Sequence, residues 1–580
     1  MTDTGPADAF AGDIAPGGGP AGFLPDIVAA RGSLTPDRIA YVFLDEHGAE
    51  WDRLDYATLH RRACGVAAEL MRHCAPGARA VLAFPPGLDF IVAFVGCLYA
   101  RVIAVPVPPP APGQHAGHPA IGDCAPTVVL TERTLAGARG PFAAHVFPGP
   151  QICVDELDAG EIPAPATVDS GTLALLQYTS GSTSDPKGVM VTHGNLIANQ
   201  RMIRWAFGHD EESVVVGWAP FYHDQGLIGN VLQPLYLGAR AILMSPLTFI
   251  RRPLLWPATI ARYGATTSGG PDFAYAACVT HARRSGVPDD LDLSTWRVAF
   301  NGAEPIRADT IRAFAATFSP YGFDESATYP CYGLAEATLL VTASRPRRGA
   351  RVVRAAAEEL RRGRFRPDPE GPALVGSGGP IPGSSVRIVS PEDGRVCAEG
   401  DVGEVWASGE HIAQGYWRNP EATEQVTGAL DDEPGVRWLR TGDLGFVHDG
   451  EVYVVGRIKD LIIIRGRNIY PTDVENSVTA AHSALRPGGC AAFGFGGDPG
   501  GAEAQEIVVV AELRRAPGED HDEIVADIRA AVAADIGVTI RRIRLIPAGG
   551  LPKTTSGKVR RAHTRSLFEQ GRFETSERSV

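Results

Sequence analysis

Among the nine cysteines of this 580-residue chain no two are spaced Cys-x-x-Cys, and their number is odd. That excludes a paired-cysteine zinc site and a complete disulfide framework, and it points to reduced thiols in the cytoplasm. No run reaches the roughly 20 apolar residues of a membrane helix. The most apolar stretch, Phe90 to Val107, is broken by Arg101 and runs into Pro106, Pro108, Pro109 and Pro110. It reads as a buried helix followed by a strand, and no integral membrane segment is expected. Positive charge is in deficit: 54 Lys and Arg stand against 67 Asp and Glu, a net charge of -13. A general nucleic-acid binder would show a basic footprint instead. Residues Met1 to Gly22 are rich in Gly, Pro and Ala and lack the basic-then-apolar order of a signal peptide, so a disordered tail over 1–22 is expected. There is no Walker A order and no internal repeat.

What is present begins with a loop. Leu173 to Leu176 reads as a strand. It leads into Gln177-Tyr178-Thr179-Ser180-Gly181-Ser182-Thr183-Ser184-Asp185-Pro186-Lys187-Gly188, after which Val189 to Val191 resume an apolar run. Hydroxyls and backbone N–H groups donate hydrogen bonds, Gly181 and Gly188 permit unusual backbone angles, and Lys187 adds a point charge. The segment suits phosphate oxygens, although Ser/Thr/Gly clusters also make ordinary surface loops.

From Leu24 to Leu340, helical stretches alternate with short β-branched runs, the pattern of mostly parallel sheets covered by helices. Thr192 is placed to cap a helix with Leu196, Ile203 and Phe207 on one face. Nine arginines then crowd Arg345 to Arg366, flanked by Pro and Gly, and read as a surface insertion over about 345–372. Val375 to Glu410 and Glu451 to Ile464 are strand-rich, with turns at Asp393-Gly394 and Asp449-Gly450. The remainder alternates again. The expectation is an α/β protein. Residues 23–458 form a large N-terminal domain of stacked mixed sheets with helices plus a small β-barrel-like unit, and 459–580 form a small mobile α+β domain.

After the loop, further motifs follow in order: Tyr222-His223-Asp224, Asn301-Gly302-Ala303-Glu304-Pro305, Tyr332-Gly333-Leu334-Ala335-Glu336 and Arg440-Thr441-Gly442-Asp443. Gly456-Arg457-Ile458-Lys459-Asp460 and Pro552-Lys553-Thr554-Thr555-Ser556-Gly557-Lys558 complete the series. The ordered set, from about Leu24 to Phe568, resembles the adenylate-forming (acyl-activating) superfamily. It is most similar to the fatty acyl-AMP ligases, through Tyr222 to Gly229, Leu232 to Tyr236, Ser268 to Tyr275 and Lys459 to Pro471. The arginine-rich segment lies where that branch carries an insertion.

The resemblance implies attack by a carboxylate on the α-phosphorus of ATP, giving acyl-AMP and pyrophosphate. It assigns Thr179, Ser180, Gly181, Ser182, Thr183 and Lys187 to the departing phosphates, and Glu336 to Mg²⁺. Tyr332 would stack on adenine, with Gly302, Ala303, Glu304 and Gly333 beside the base. Asp443 would hold the ribose and Arg457 would support it. Lys558 would be the catalytic cation, bridging carboxylate and α-phosphate, and Lys459 the hinge. Ala335 stands where many wider-family members have threonine.

His223, Asp224 and Gly270 are candidates for the acyl pocket; His223 reads equally as a gate or a structural histidine. Amino-acid activators hold the amine with an aspartate in a Phe-Asp-x-Ser context; Pro220-Phe221-Tyr222-His223-Asp224-Gln225 reads instead as in acid and fatty-acyl activators, so the resemblance implies a simple, fatty or otherwise apolar acid. Leu227, Ile228, Val231, Leu232 and Leu235 read as a tunnel lining or as helix core. No carrier-domain serine motif occurs, so the acyl group would pass to a separate acyl carrier protein in lipid, polyketide or lipopeptide biosynthesis. The arginine-rich segment would attract such an acidic partner or form a solvated basic helix. An acyl-CoA ligase and a degenerate nucleotide-binding scaffold are the alternatives.

Overall fold

The computed structural model describes residues 22–109, 118–136, 146–160, 167–179, 187–464, 467–496, 505–514, 521–553 and 558–573. Residues 1–21 of the expected tail lie outside this set. So do Ser180, Gly181, Ser182 and Thr183 of the loop, and 554–557 before Lys558.

Two mixed sheets dominate. One has six strands in the order Gln151–Cys153, Val128–Thr131, Arg79–Leu82, Ile103–Pro106, Leu173–Thr179 and Lys187–Thr192, all parallel except the last pair. The other has nine strands. Its centre, Thr328–Gly333, Val298–Asn301, Thr267–Gly270, Val214–Gly217, Arg240–Met244 and Ile39–Leu44, is parallel throughout. The helix Asp89–Tyr99 is buried at every residue from Phe90 to Tyr99. It packs in the main core cluster with residues of both sheets, such as Leu82, Leu175, Tyr41 and Leu243. An apolar run that fails as a membrane span is thus a core element between layers. No helix among the described residues is long and apolar enough to cross a membrane.

Parallel strands point their C-terminal ends the same way, and ligands of open α/β sheets bind beyond those ends. Here the ends at Gly217, Gly270, Asn301 and Gly333 lead directly into Trp218, Pro271, Gly302 and Leu334. The sequence motifs therefore sit at one rim because the topology puts them there.

Thr192 caps the helix His193–Phe207: its side chain accepts from the Asn195 N–H, and the Asn195 side chain returns the bond to the Thr192 N–H. The β-rich unit contains an antiparallel five-stranded sheet that includes the long strand Trp438–His448 and its partner Glu451–Arg457. The C-terminal part has a three-stranded sheet (Leu485–Phe495, Glu506–Leu513, Arg542–Pro547). Its helices Pro471–Ala481 and His521–Ile536 pack into one apolar cluster with the sheet.

The arginine-rich segment differs from a solvated basic helix. Only Ala357–Arg361 is helical, beside a two-stranded ribbon of Val352–Arg354 and Ala373–Val375. Phe365 stacks on Phe446, with centroids 4.8 Å apart. Glu358 accepts from Arg467 at 2.8 Å, and the buried Arg361 donates to the Asp535 carbonyl at 3.3 Å. The apolar anchor and short helix set these charges against the C-terminal part, whereas Arg345, Arg347, Arg348 and Arg366 remain exposed.

Candidate active site

The loop's flanks form an antiparallel pair in which Thr179 faces Lys187. The outer edge of strand Lys187–Thr192 bonds to a returning segment: the Met190 N–H donates to the Gly415 carbonyl, and the Trp417 N–H to that of Gly188, each at 2.8 Å. This places the ring of Tyr416 5.1 Å from the Lys187 ammonium. The Tyr416 hydroxyl donates to Glu336 at 2.7 Å. Burial, then the neighbouring Glu336 carboxylate, push this phenol's pKa far up, so it stays a donor.

Glu336 rides on a tight loop. The Leu334 N–H donates to the Leu339 carbonyl at 2.9 Å, and a Cβ on Gly333 would lie 1.8 Å from that same oxygen, so only glycine fits. Thr338, at φ +64°, donates its hydroxyl to the His411 carbonyl at 2.7 Å. Lys187, Tyr416 and Glu336 thus form one chain of contacts, although Tyr416 is 80 residues from Glu336 in sequence.

The ribose-side candidates meet through strand register. Asp443 and Arg457 are cross-strand partners, and the Arg457 Nε donates to Asp443 at 2.9 Å. The Tyr332 hydroxyl donates to the other Asp443 oxygen at 2.6 Å. Tyr332 titrates well above an ordinary phenol, chiefly through burial and then through Asp443. The paired carboxylate holds the Arg457 pKa up. A bulge at Gly442, φ +72°, presents Asp443 here. Glu404, buried to 3%, braces that bulge by accepting from the Gly442 N–H at 3.0 Å, the Trp406 indole at 2.9 Å and Arg440 at 3.2 Å. Gly302 has no room for a Cβ, which would stand 2.8 Å from the Cys331 carbonyl, and Ala303 takes the left-handed φ of +70°.

On the opposite side His223 pairs with Asp224 at 2.5 Å. Burial raises the Asp224 pKa, but the charge and hydrogen bond of His223, helped by Lys558, win and hold it low. Glu304 behaves otherwise. Burial pushes it up to about 7, against a 2.7 Å bond from the Phe273 N–H. Lys558 is half-buried and feels the charges of Asp224, Glu304, Arg457 and Asp443. Burial draws its pKa down, while the carboxylates oppose that loss. Its segment is anchored next door: Arg561 forms a two-pronged pair with Glu475 at 2.6 and 2.7 Å and reaches Asp460 at 3.4 Å. Lys459, in the short turn Ile458–Asp460, is exposed.

A narrow cleft opens beside His223 and Ala303, with Trp218, Pro220, Gln225, Ile250 and Phe273 among its other walls. Gly270 stands behind it: a Cβ there would strike the Trp218 ring at 2.5 Å. The expected tunnel residues Leu227, Ile228, Val231, Leu232 and Leu235 do not line it. All are at most 1% exposed, in the main core cluster. The segment Gln225–Leu232 is a π-helix, and of it Gln225 faces the cleft. Tyr416, Glu404 and Trp218 had no motif to mark them. For Tyr416 the sole hint is an aromatic pair, Tyr416-Trp417, directly after glycine.

The enzymes that this chain resembles are consistent across its length. Residues 28–417 match the family of AMP-binding enzymes, and residues 459–578 match the AMP domain of the Disco-interacting protein 2-like family. The medium-chain-fatty-acid--[acyl-carrier-protein] ligase JamA of Moorena producens is 39% identical over 96% of this chain and 97% of its own. The long-chain-fatty-acid--AMP ligase FadD26 of Mycobacterium bovis is 36% identical over 93% and 96%. A fatty acyl-adenylate ligase of L. pneumophila, solved with acyl adenylate and pyrophosphate, is 38% identical over 94% and 96%, with a TM-score of 0.73. With its motif residues gathered at one rim of an α/β scaffold and relatives of this length and likeness, the chain belongs to the adenylate-forming AMP-binding enzymes, on the branch of the fatty acyl-AMP ligases.

Proposed function

We propose that the protein activates a fatty or other apolar carboxylic acid with ATP and hands the acyl group to the phosphopantetheine thiol of a separate acyl carrier protein. In the first step a carboxylate oxygen bonds to the α-phosphorus as the bond to the β-phosphate bridging oxygen breaks, releasing pyrophosphate. In the second, the thiol sulfur bonds to the acyl carbon, AMP leaves, and the thiol proton goes to solvent.

The observation that supports this reading is the electrostatic setting of Lys558, which feels the charges of Asp224, next to the acyl-pocket candidate His223, and of Asp443, the ribose candidate, as well as that of Glu304. Two anions must meet there, and a protonated lysine between them lowers the cost of their approach. Asp443, held by Arg457 and Tyr332, would accept from the ribose hydroxyls; Lys187 and the loop 179–187 would draw off pyrophosphate. Glu336, an oxygen ligand oriented by Tyr416, suits Mg²⁺, which would neutralise phosphate charge when bound. Lys459 would be the pivot on which the C-terminal domain, 459–580, exchanges poses. The nine cysteines, all free, suit a cytoplasmic enzyme.

The test is incubation with ATP, Mg²⁺ and a ladder of fatty acids, with CoA, with a phosphopantetheinylated carrier protein, or with neither. Acyl-AMP that persists with CoA and is consumed by the carrier is expected. Efficient CoA thioester formation would replace this reading by that of an acyl-CoA ligase, and absence of acyl-AMP with every acid would end it.

A further inference from the structure

The acyl cleft has a polar feature that a plain hydrocarbon chain does not need. Its walls are largely apolar, with Pro220, Pro246, Ile250, Pro271 and Phe273. Yet Trp218 Nε1 and Gln225 Nε2 are buried atoms without a hydrogen-bond partner, and both residues line this cleft. Among the described residues lining it, these are the buried polar atoms left unpaired, and both are donors. An indole N–H has no acceptor role to play.

The neighbouring tryptophans show what this core normally does with such a group. Trp256 Nε1 donates to the Ser268 hydroxyl at 2.7 Å, and Trp296 Nε1 to the Ser268 carbonyl at 3.1 Å. Trp218, 4% exposed, is held as firmly as they are. It stacks on Phe249 at 4.0 Å and 17°, meets Phe273 edge-on at 6.0 Å, and abuts Gly270. It has no freedom to turn its N–H elsewhere. A buried donor left unpaired costs about 1–3 kcal/mol, and the π-helical turn that brings Gln225 to the same cleft is itself a rare and costly element.

Building on the proposed acyl-activating function, we infer that the cleft recognises an acid whose chain carries a hydrogen-bond-accepting oxygen, a hydroxyl or a keto group, held by Trp218 and Gln225. The reacting carboxylate does not fill this role, because Lys558 is the group placed to take it.

The test compares kcat/KM for adenylation of an unsubstituted acid with hydroxy and oxo acids of equal length, the oxygen moved stepwise along the chain. The full-length protein is compared with Gln225→Leu and Trp218→Phe, whose folding is checked by thermal melting. In the parent protein one oxygenated isomer is expected to exceed the plain acid by about 10- to 100-fold, the worth of one or two hydrogen bonds. The hydroxy and oxo arms identify which oxygen is read. In Gln225→Leu that ratio should fall toward one, and Trp218→Phe should do the same. Equal rates for all isomers in the parent protein would overturn the inference in favour of a buried water on these donors. So would a loss in Gln225→Leu that is uniform across acids, which would mean that the donors serve the carboxylate. Either result leaves acyl-AMP formation itself standing, whereas no adenylate from any acid would sink the proposed activity and this inference with it.

Discussion

The proposed nucleotide side of the site and the proposed acyl side are built on opposite plans. On the first, the central carboxylates already have their partners: Asp443 has Arg457 and Tyr332, Glu336 has Tyr416, and Glu404 accepts three bonds beneath the bulge. On the second, aromatic and proline walls surround two unpaired donors. A network satisfied before the ligand arrives is pre-organised for one invariant ligand. A smooth wall with few polar points sorts among ligands that differ in shape. The contrast fits an enzyme whose nucleotide never varies and whose acid does.

That contrast breaks first at Lys558, which the proposed mechanism assigns to both sides. Lys558→Ala should lower adenylate formation about 100- to 1,000-fold for every acid, measured by pyrophosphate release. In the parent enzyme, the lowered Lys558 pKa means that the alkaline limb of the pH profile should fall below the ordinary lysine range. Asp443→Ala should cost about 10- to 100-fold in kcat/KM for ATP and leave the ranking of acids unchanged. A changed ranking would show that the two sides are not separate. Tyr416→Phe should cost about 10-fold, and added Mg²⁺ should recover part of it if the hydroxyl only orients Glu336.

The smallest effect belongs to Glu304. Its carboxyl, raised to about 7 in the folded protein, takes up a proton on folding at pH values between the ordinary carboxylate range and 7. Stability therefore declines as pH rises through that window, and the penalty is fully present above it. Glu304→Gln keeps an oxygen for the Phe273 N–H and removes the charge. Its melting temperature relative to the parent should rise with pH from 5 to 8, and a flat difference would show Glu304 to be solvated.

Much of this was legible in the chain, for particular reasons. Thr192 with Asn195 three residues on, the Asp449-Gly450 hairpin turn (φ +50° and +73°) and the strand-to-glycine junctions are local signals, and local signals survive folding. Tyr416 could not be read, because its value comes from an edge-to-edge pairing with Gly188 and Met190, more than 220 positions away. Leu227, Ile228, Val231, Leu232 and Leu235 have a composition that suits a lining and a helix core alike, and the fold takes the second: the π-helical turn and the short helix after it bury them, while Gln225 lines the cleft. The arginine-rich segment hid its anchor, Phe365, among nine arginines.

The register of the last two strands of the β-rich unit has a mechanical outcome. Arg457 ends the strand that pairs it with Asp443, and Lys459 follows two positions later. A backbone rotation at Lys459 would carry Lys558, Arg561 and everything beyond on a separate lever arm. The Asp443–Arg457 rung lies on the stationary side of that axle. On the proposed mechanism the ribose grip would thus outlast departure of Lys558, keeping the activated acid moored while the arm turns to admit its acceptor.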